Sequence, residues 1–130
     1  MIRTYSTIFF ALVSMASMGQ ELTLKGVPVS QLTSQYVEVY VFESSMKLRT
    51  FDIVIDAGQI EEFADVFAKK NSPTGHNAQL LNADGSRALE DNPIAVLNYL
   101  DTVGGYEVLN MSMSIGQQGR YKHYFLAKRD

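Results

Sequence analysis

The stretch DNPIAVLNYLDTVGGYEVLNMSMSIGQQGRYKHYFLAKR, Asp91 to Arg129, decides how this chain folds. Pro93 pushes Asn92 out of the α region, leaves its side chain free to cap, and forfeits no amide that a first helical turn would use. Ile94, Val96, Leu97, Leu100 and Val103 recur at helical spacing and cover a broad apolar stripe, which predicts a helix packed on another element. Gly104-Gly105 ends it by supplying a residue able to turn left-handed, with Tyr106 placed to fold back onto the last turn. Leu109, Met111, Met113 and Ile115 then alternate with Asn110, Ser112 and Ser114, a period of two that predicts a strand with its apolar face in the core. Gly116-Gln117-Gln118-Gly119 reads as a four-residue hairpin loop leading into a last strand, Tyr121 to Lys128. There Tyr121, His123, Phe125 and Ala127 share one face, and Lys122, Tyr124, Leu126 and Lys128 the other.

A second hairpin precedes this unit. Val37, Val39 and Val41 alternate with Tyr36, Tyr40 and Phe42, and apolar groups on both faces predict a central strand. Ser44 to Lys47 forms a turn, after which Leu48 to Ala57 points Phe51, Ile53, Ile55 and Ala57 inward and Thr50, Asp52 and Asp56 outward. Glu21 to Ser34 predicts an extended lead-in with a short edge strand around Gly26 and Pro28. Ile60, Phe63, Ala64 and Phe67 match a short amphipathic helix, with Glu61 and Glu62 early and Lys69 and Lys70 late to suit its dipole. Asn71 to Asn77 reads as a loop, and the turn Ala83 to Ser86 joins Gln79–Asn82 to Arg87–Leu89 in a minor hairpin. The expected fold is α+β, a mainly antiparallel sheet built from two β-hairpins and packed by one or two helices.

The N-terminus carries an address. Arg3 precedes the apolar run Ile8 to Val13, and Ser17 and Gly19 stand three residues and one residue before a cleavage point. Residues 1–19 are therefore expected to be a signal peptide, and residues 20–130 a single small α+β domain. The apolar run is shorter than the roughly 20 residues that span a bilayer, so the mature chain is expected to have no membrane span and to be exported, periplasmic or secreted. The absence of cysteine excludes a lipidated cysteine, a disulfide framework and a thiolate metal site. Without Arg3, the one charged residue of the leader, the net charge of -3 becomes -4, which argues against nucleic acid or an anionic membrane as partner.

Catalytic patterns are sparse. His76 and His123 are the two histidines and form no His-x-His or His-Glu-x-x-His spacing, so no metal and no cofactor is expected. The carboxylate pairs Asp52/Asp56 and Glu61/Glu62 offer acid–base or calcium chemistry, but each reads first as a solvated face. Asp84-Gly85 is explained by turn chemistry, Asn110-Met111-Ser112 is a sequon lying in a strand, and no Gly-x-Ser-x-Gly elbow is present. The suggestive cluster is Arg120, Tyr121, Lys122, His123 and Tyr124, with Lys128, Arg129 and Phe125 close by. Cations interleaved with aromatic rings suit anionic or stacked ligands, whereas the bland reading is an edge strand protected by charge.

Three motifs carry a resemblance: Leu97-Asn98-Tyr99-Leu100 before Gly105-Tyr106-Glu107-Val108, the closing Tyr124-Phe125-Leu126-Ala127-Lys128, and Ile55-Asp56-Ala57-Gly58-Gln59. Together they resemble small, uncharacterised exported α+β proteins of Bacteroidota, in which a helix ends at Gly-aromatic-Glu and a terminal strand closes on an aromatic, a leucine and a basic residue. Tyr106 stands where tryptophan is common. The resemblance covers roughly Tyr36 to Arg129 and implies fold and export, with no functional residue to carry over.

These readings converge on an exported, non-enzymatic binding or interaction module with a protein or cell-envelope partner and no catalytic residues. A homodimer interface is expected on Tyr36–Phe42 if one face of that strand is left uncovered. The alternative is a small hydrolase-like enzyme that uses His123 and a carboxylate brought from another strand.

Overall fold

The computed structural model describes residues 21–44, 51–60, 77–117 and 119–130. The elements are β1 (Thr23–Leu24), β2 (Val27–Pro28), a 3-10 turn (Val29–Gln31), β3 (Tyr36–Ser44), β4 (Phe51–Asp56), β5 (Leu80–Leu81), α1 (Pro93–Thr102), β6 (Tyr106–Gly116) and β7 (Gly119–Lys128). The expected leader, the helix after Ile60, most of the turn after Ser44 and the loop holding His76 lie outside the described residues.

The α+β class and the two hairpins are as the residue pattern predicts. β3 pairs with β4 and β6 with β7, both antiparallel, and β3 also pairs with β7, giving the order β4-β3-β7-β6. β3 is central because its valines bury one face: Val37 and Val39 are fully enclosed and Val41 nearly so. Ile53 and Ile55 from β4, Leu126 from β7, and Val96 and Leu100 from α1 close over them. Each such side chain contributes roughly 1.5–3 kcal/mol by leaving water.

The lead-in holds more structure than one edge strand. Lys25 and Gly26 take positive φ and fold β1 onto β2, and β5 pairs with the other side of β1, so a small second sheet of order β2-β1-β5 forms. Leu24, Val29, Leu32 and Leu80 plug one end of the core from this layer. The minor hairpin shrinks to a single bridge, Leu81 to Arg87, around a turn in which Asp84 Oδ1 accepts from the Ser86 amide at 2.9 Å.

α1 begins and ends as expected. Asn92 Oδ1 accepts the Ala95 amide at 3.0 Å, Pro93 occupies the first turn, and Gly105 takes φ +74° after the last. Tyr106 then enters the core completely, and its hydroxyl donates to the Ser34 carbonyl at 2.6 Å. At the other end of the sheet Gly116 pairs with Gly119, so the connection is two residues rather than the expected four.

One expectation is overturned. The Leu109–Ile115 face of β6 does not lie in the core: beyond Tyr106 every residue of the strand is exposed. A bulge between Val108 and Asn110 shifts the alternation, and β6 forms the sheet's edge. A period of two reports a two-sided strand, and which side is covered depends on what lies above it.

Gly104 is a close-approach position. An added Cβ would stand 2.8 Å from both the Leu100 carbonyl oxygen and Tyr106 Cδ2, and 2.9 Å from Val29 Cγ1. Gly104→Ala is expected to cost about 1–3 kcal/mol, the usual penalty for overpacking. Asn92→Ala, which removes the cap, should cost about 1 kcal/mol. Urea denaturation checks both; a Gly104→Ala protein as stable as the parent would contradict the close packing of Tyr106.

Candidate functional site

Strand geometry divides the Arg120–Tyr124 cluster, because neighbouring residues of β7 point to opposite sides of the sheet. Arg120, Lys122 and Tyr124 lie on the helix side, where with Val41, Pro93 and Ile94 they line an open groove of about 260 Å³. Tyr121 and His123 lie on the outer side. There β3 sets Tyr40 opposite His123 and Phe42 opposite Tyr121. The five residues thus serve two surfaces rather than one site.

The outer side is the better organised of the two. Tyr40 and His123 stack with ring centroids 4.5 Å apart and planes within 10°. Tyr121 leans on Tyr40 diagonally, centroids 6.1 Å apart, and Tyr36 stacks on Phe125 at 5.3 Å. These are cross-strand pairs between the two central strands, the sheet positions at which aromatic side chains reach one another. The result is a ribbon of rings running along β3 and β7.

Glu38 sits within this ribbon. The Tyr40 hydroxyl donates to its Oε2 at 2.8 Å, while Oε1 lies 3.4 Å from His123 Nε2, close enough to pair with a charged imidazole but outside hydrogen-bond geometry. Burial first, then the hydrogen bond and the charge of Glu38, hold the Tyr40 hydroxyl well above the ordinary tyrosine range. Burial and the same carboxylate push Tyr121 up as well. Both phenols remain protonated at neutral pH and able to donate.

His123 has a carboxylate neighbour, which the hydrolase reading requires, but neither the groove beside Pro93 nor a second groove of about 240 Å³ beside Ala57 and Gln59 includes it. Among the described residues no group of three His, Asp or Glu residues is placed to hold a metal ion, and no helix is long and apolar enough to cross a membrane. Comparison with protein-family models, with curated proteins and with solved structures gives no match.

Sequence reasoning found Tyr121 and His123 and missed Glu38. The signal was the alternation Tyr36, Glu38, Tyr40, which places the carboxylate on the aromatic side of β3. Its meaning needed the register that sets Tyr40 against His123.

The raised hydroxyls make alkaline stability a readout of this cluster. Below pH 10.0, the ordinary tyrosine value, folded and unfolded chains both hold the Tyr40 proton, so the contribution is complete. As pH climbs past that value the unfolded chain ionises first, and stability falls until the folded hydroxyl also ionises. The melting temperature is expected to drop between about pH 10 and 12, and Glu38→Gln, which lowers the folded value, should make the drop shallower. Parallel curves for the two proteins would contradict the Glu38–Tyr40 coupling.

Proposed function

We propose that this chain is an exported, non-enzymatic binding module that docks a protein or other cell-envelope partner on the outer face of its four-stranded sheet. The observation that carries the reading is the ribbon formed by Tyr36, Phe125, Tyr40, His123 and Tyr121. Tyr36 and Tyr121 remain 54% and 38% exposed although their rings are already held by neighbours. Aromatic rings on a strand offer large contact area with little side-chain entropy left to lose, and buried tyrosines dominate many interfaces. The described grooves lie off this face, which favours an extended or flat partner over a small substrate.

Export rests on the leader-like residues 1–19, supported by the resemblance to exported Bacteroidota proteins. The mild negative charge favours a partner other than nucleic acid. A second reading, a small hydrolase using His123, draws on the 3.4 Å approach of Glu38. It is the weaker one, because Tyr40 covers the imidazole face and donates to the same carboxylate, and the described grooves leave the pair outside.

A pull-down from cell-envelope extract separates the two sides of the sheet. Tyr36→Ala with Tyr121→Ala is expected to weaken capture of the partner at least about tenfold, the scale of an interfacial tyrosine, while Arg120→Ala with Lys122→Ala retains it. Melting curves confirm that each variant is folded. Equal capture by the parent and the Tyr36/Tyr121 variant would overturn the assignment of this face, and hydrolysis of ester or peptide substrates lost in His123→Ala would favour the enzyme.

A further inference from the structure

β6 is eleven residues long, stands at the edge of the larger sheet, and carries an apolar row left in solvent: Val108 is 45% exposed, Leu109 56%, Met111 47%, Met113 49% and Ile115 70%. Among the described residues no strand pairs with its outer edge. The Met111 amide turns to the side chain of Asn110, donating to Oδ1 at 2.8 Å, instead of to a neighbouring strand.

Edge strands of soluble proteins are normally blunted by lysine, proline, an inward charge or shortness. Here none of those devices appears: from Val108 to Gln118 the sequence contains no charged residue and no proline. The bulge at Val108/Asn110 bends only the start of the strand and leaves Asn110 to Gly116 in regular register with β7. The opposite edge, β4, shows the contrast, since it carries Asp52 and Asp56.

We propose that β6 pairs with β6 of a second copy of this chain, antiparallel about a two-fold axis at Ser112, joining two four-stranded sheets into one. The side-chain pattern is what selects a second copy over a foreign strand. About Ser112, Met111 of one copy meets Met113 of the other and Asn110 meets Ser114, so like faces like along the regular part of the strand. An isologous interface requires this self-complementarity, and a slip of one residue would set methionine against serine.

A standard stable interface buries roughly 800 Å² per partner, and the half-exposed side chains of β6 together with its edge backbone are the surface available to it. Pairing also supplies partners for amides and carbonyls that now face water. The apolar row Met111, Met113 and Ile115 shares the helix side with Tyr124, Lys122 and Arg120, opposite the Tyr36–Tyr121 ribbon, so pairing would set two ribbons side by side on one sheet.

Sedimentation velocity of the purified protein from about 1 to 100 μM tests the proposal. The parent is expected to shift from monomer to dimer within that range, insensitive to salt because no charge lies in the seam. Met113→Lys, at a position already half in solvent, should weaken association at least tenfold with a melting curve unchanged at about 1 μM, where both proteins are monomers, and Tyr121→Ala should leave association intact. Because the chain has no cysteine, Ser112→Cys gives a second reading. Directly opposed positions lie within disulfide reach, so this variant should oxidise to a covalent dimer, whereas Asn110→Cys, offset from its own copy, should not. A parent that stays monomeric overturns the proposal, even if a foreign strand proves to bind this edge. So does a dimer that survives Met113→Lys or fails to cross-link through Ser112→Cys.

Discussion

Tyr106 has a place to go only because Gly104 lacks a side chain. Its ring fills the space beside Val29 and the last turn of α1, and an extra carbon at residue 104 would collide with all three. From there its hydroxyl reaches the Ser34 carbonyl, and Lys128 lies over its ring at 5.5 Å. One side chain thereby joins the end of the helix, the segment before the central strand and the end of the last strand. Neighbouring bonds secure the same junction: the Lys128 amide donates to the Gln35 carbonyl and the Arg129 amide to that of Gly105, both at 2.8 Å, and the Arg129 guanidinium pairs with Asp101. This junction lies where α1 hands over to β6 and where β7 ends, so it fixes the start of one strand of the hairpin beside the end of the other.

The sheet built on this junction has two unlike sides. Over β3, β4 and the end of β7 its inner side is aliphatic and closed over by α1 and the small second sheet, as expected where valine, isoleucine and leucine alternate on adjacent strands. The outer side is aromatic and half-buried, ordered by stacked rings and a shared carboxylate. The basic side chains of β7 fall on the helix side, beside the groove at Pro93. Strand alternation therefore keeps the cations apart from Tyr121 and His123, although the five residues are contiguous in the chain.

Local physics was legible wherever a short stretch carried its own constraint. The cap at Asn92, the stop at Gly105 and the pairing of both hairpins each depend on residues a few positions apart, and each formed as the residue types require. The candidate site was legible in part: Tyr121 and His123 could be placed on one face of one strand, but Tyr36, Glu38 and Tyr40 join them only through the register between β3 and β7. The β6 face was misplaced for a related reason. Alternation shows that a strand has an apolar side, but whether that side is covered depends on where the strand falls in the sheet and how far α1 extends over it.

The sequence by itself determined the α+β class, the capped helix, the two antiparallel hairpins and the central place of the valine strand. Those follow from backbone preferences and hydrophobic period, which act over a few residues. Only the tertiary structure decided that the small lead-in strands build a second sheet, that aromatic residues from two hairpins meet around Glu38, and that the apolar row of β6 stays in solvent. Each of these depends on contacts between segments far apart in the chain, and such contacts are set by how whole surfaces pack rather than by any local pattern.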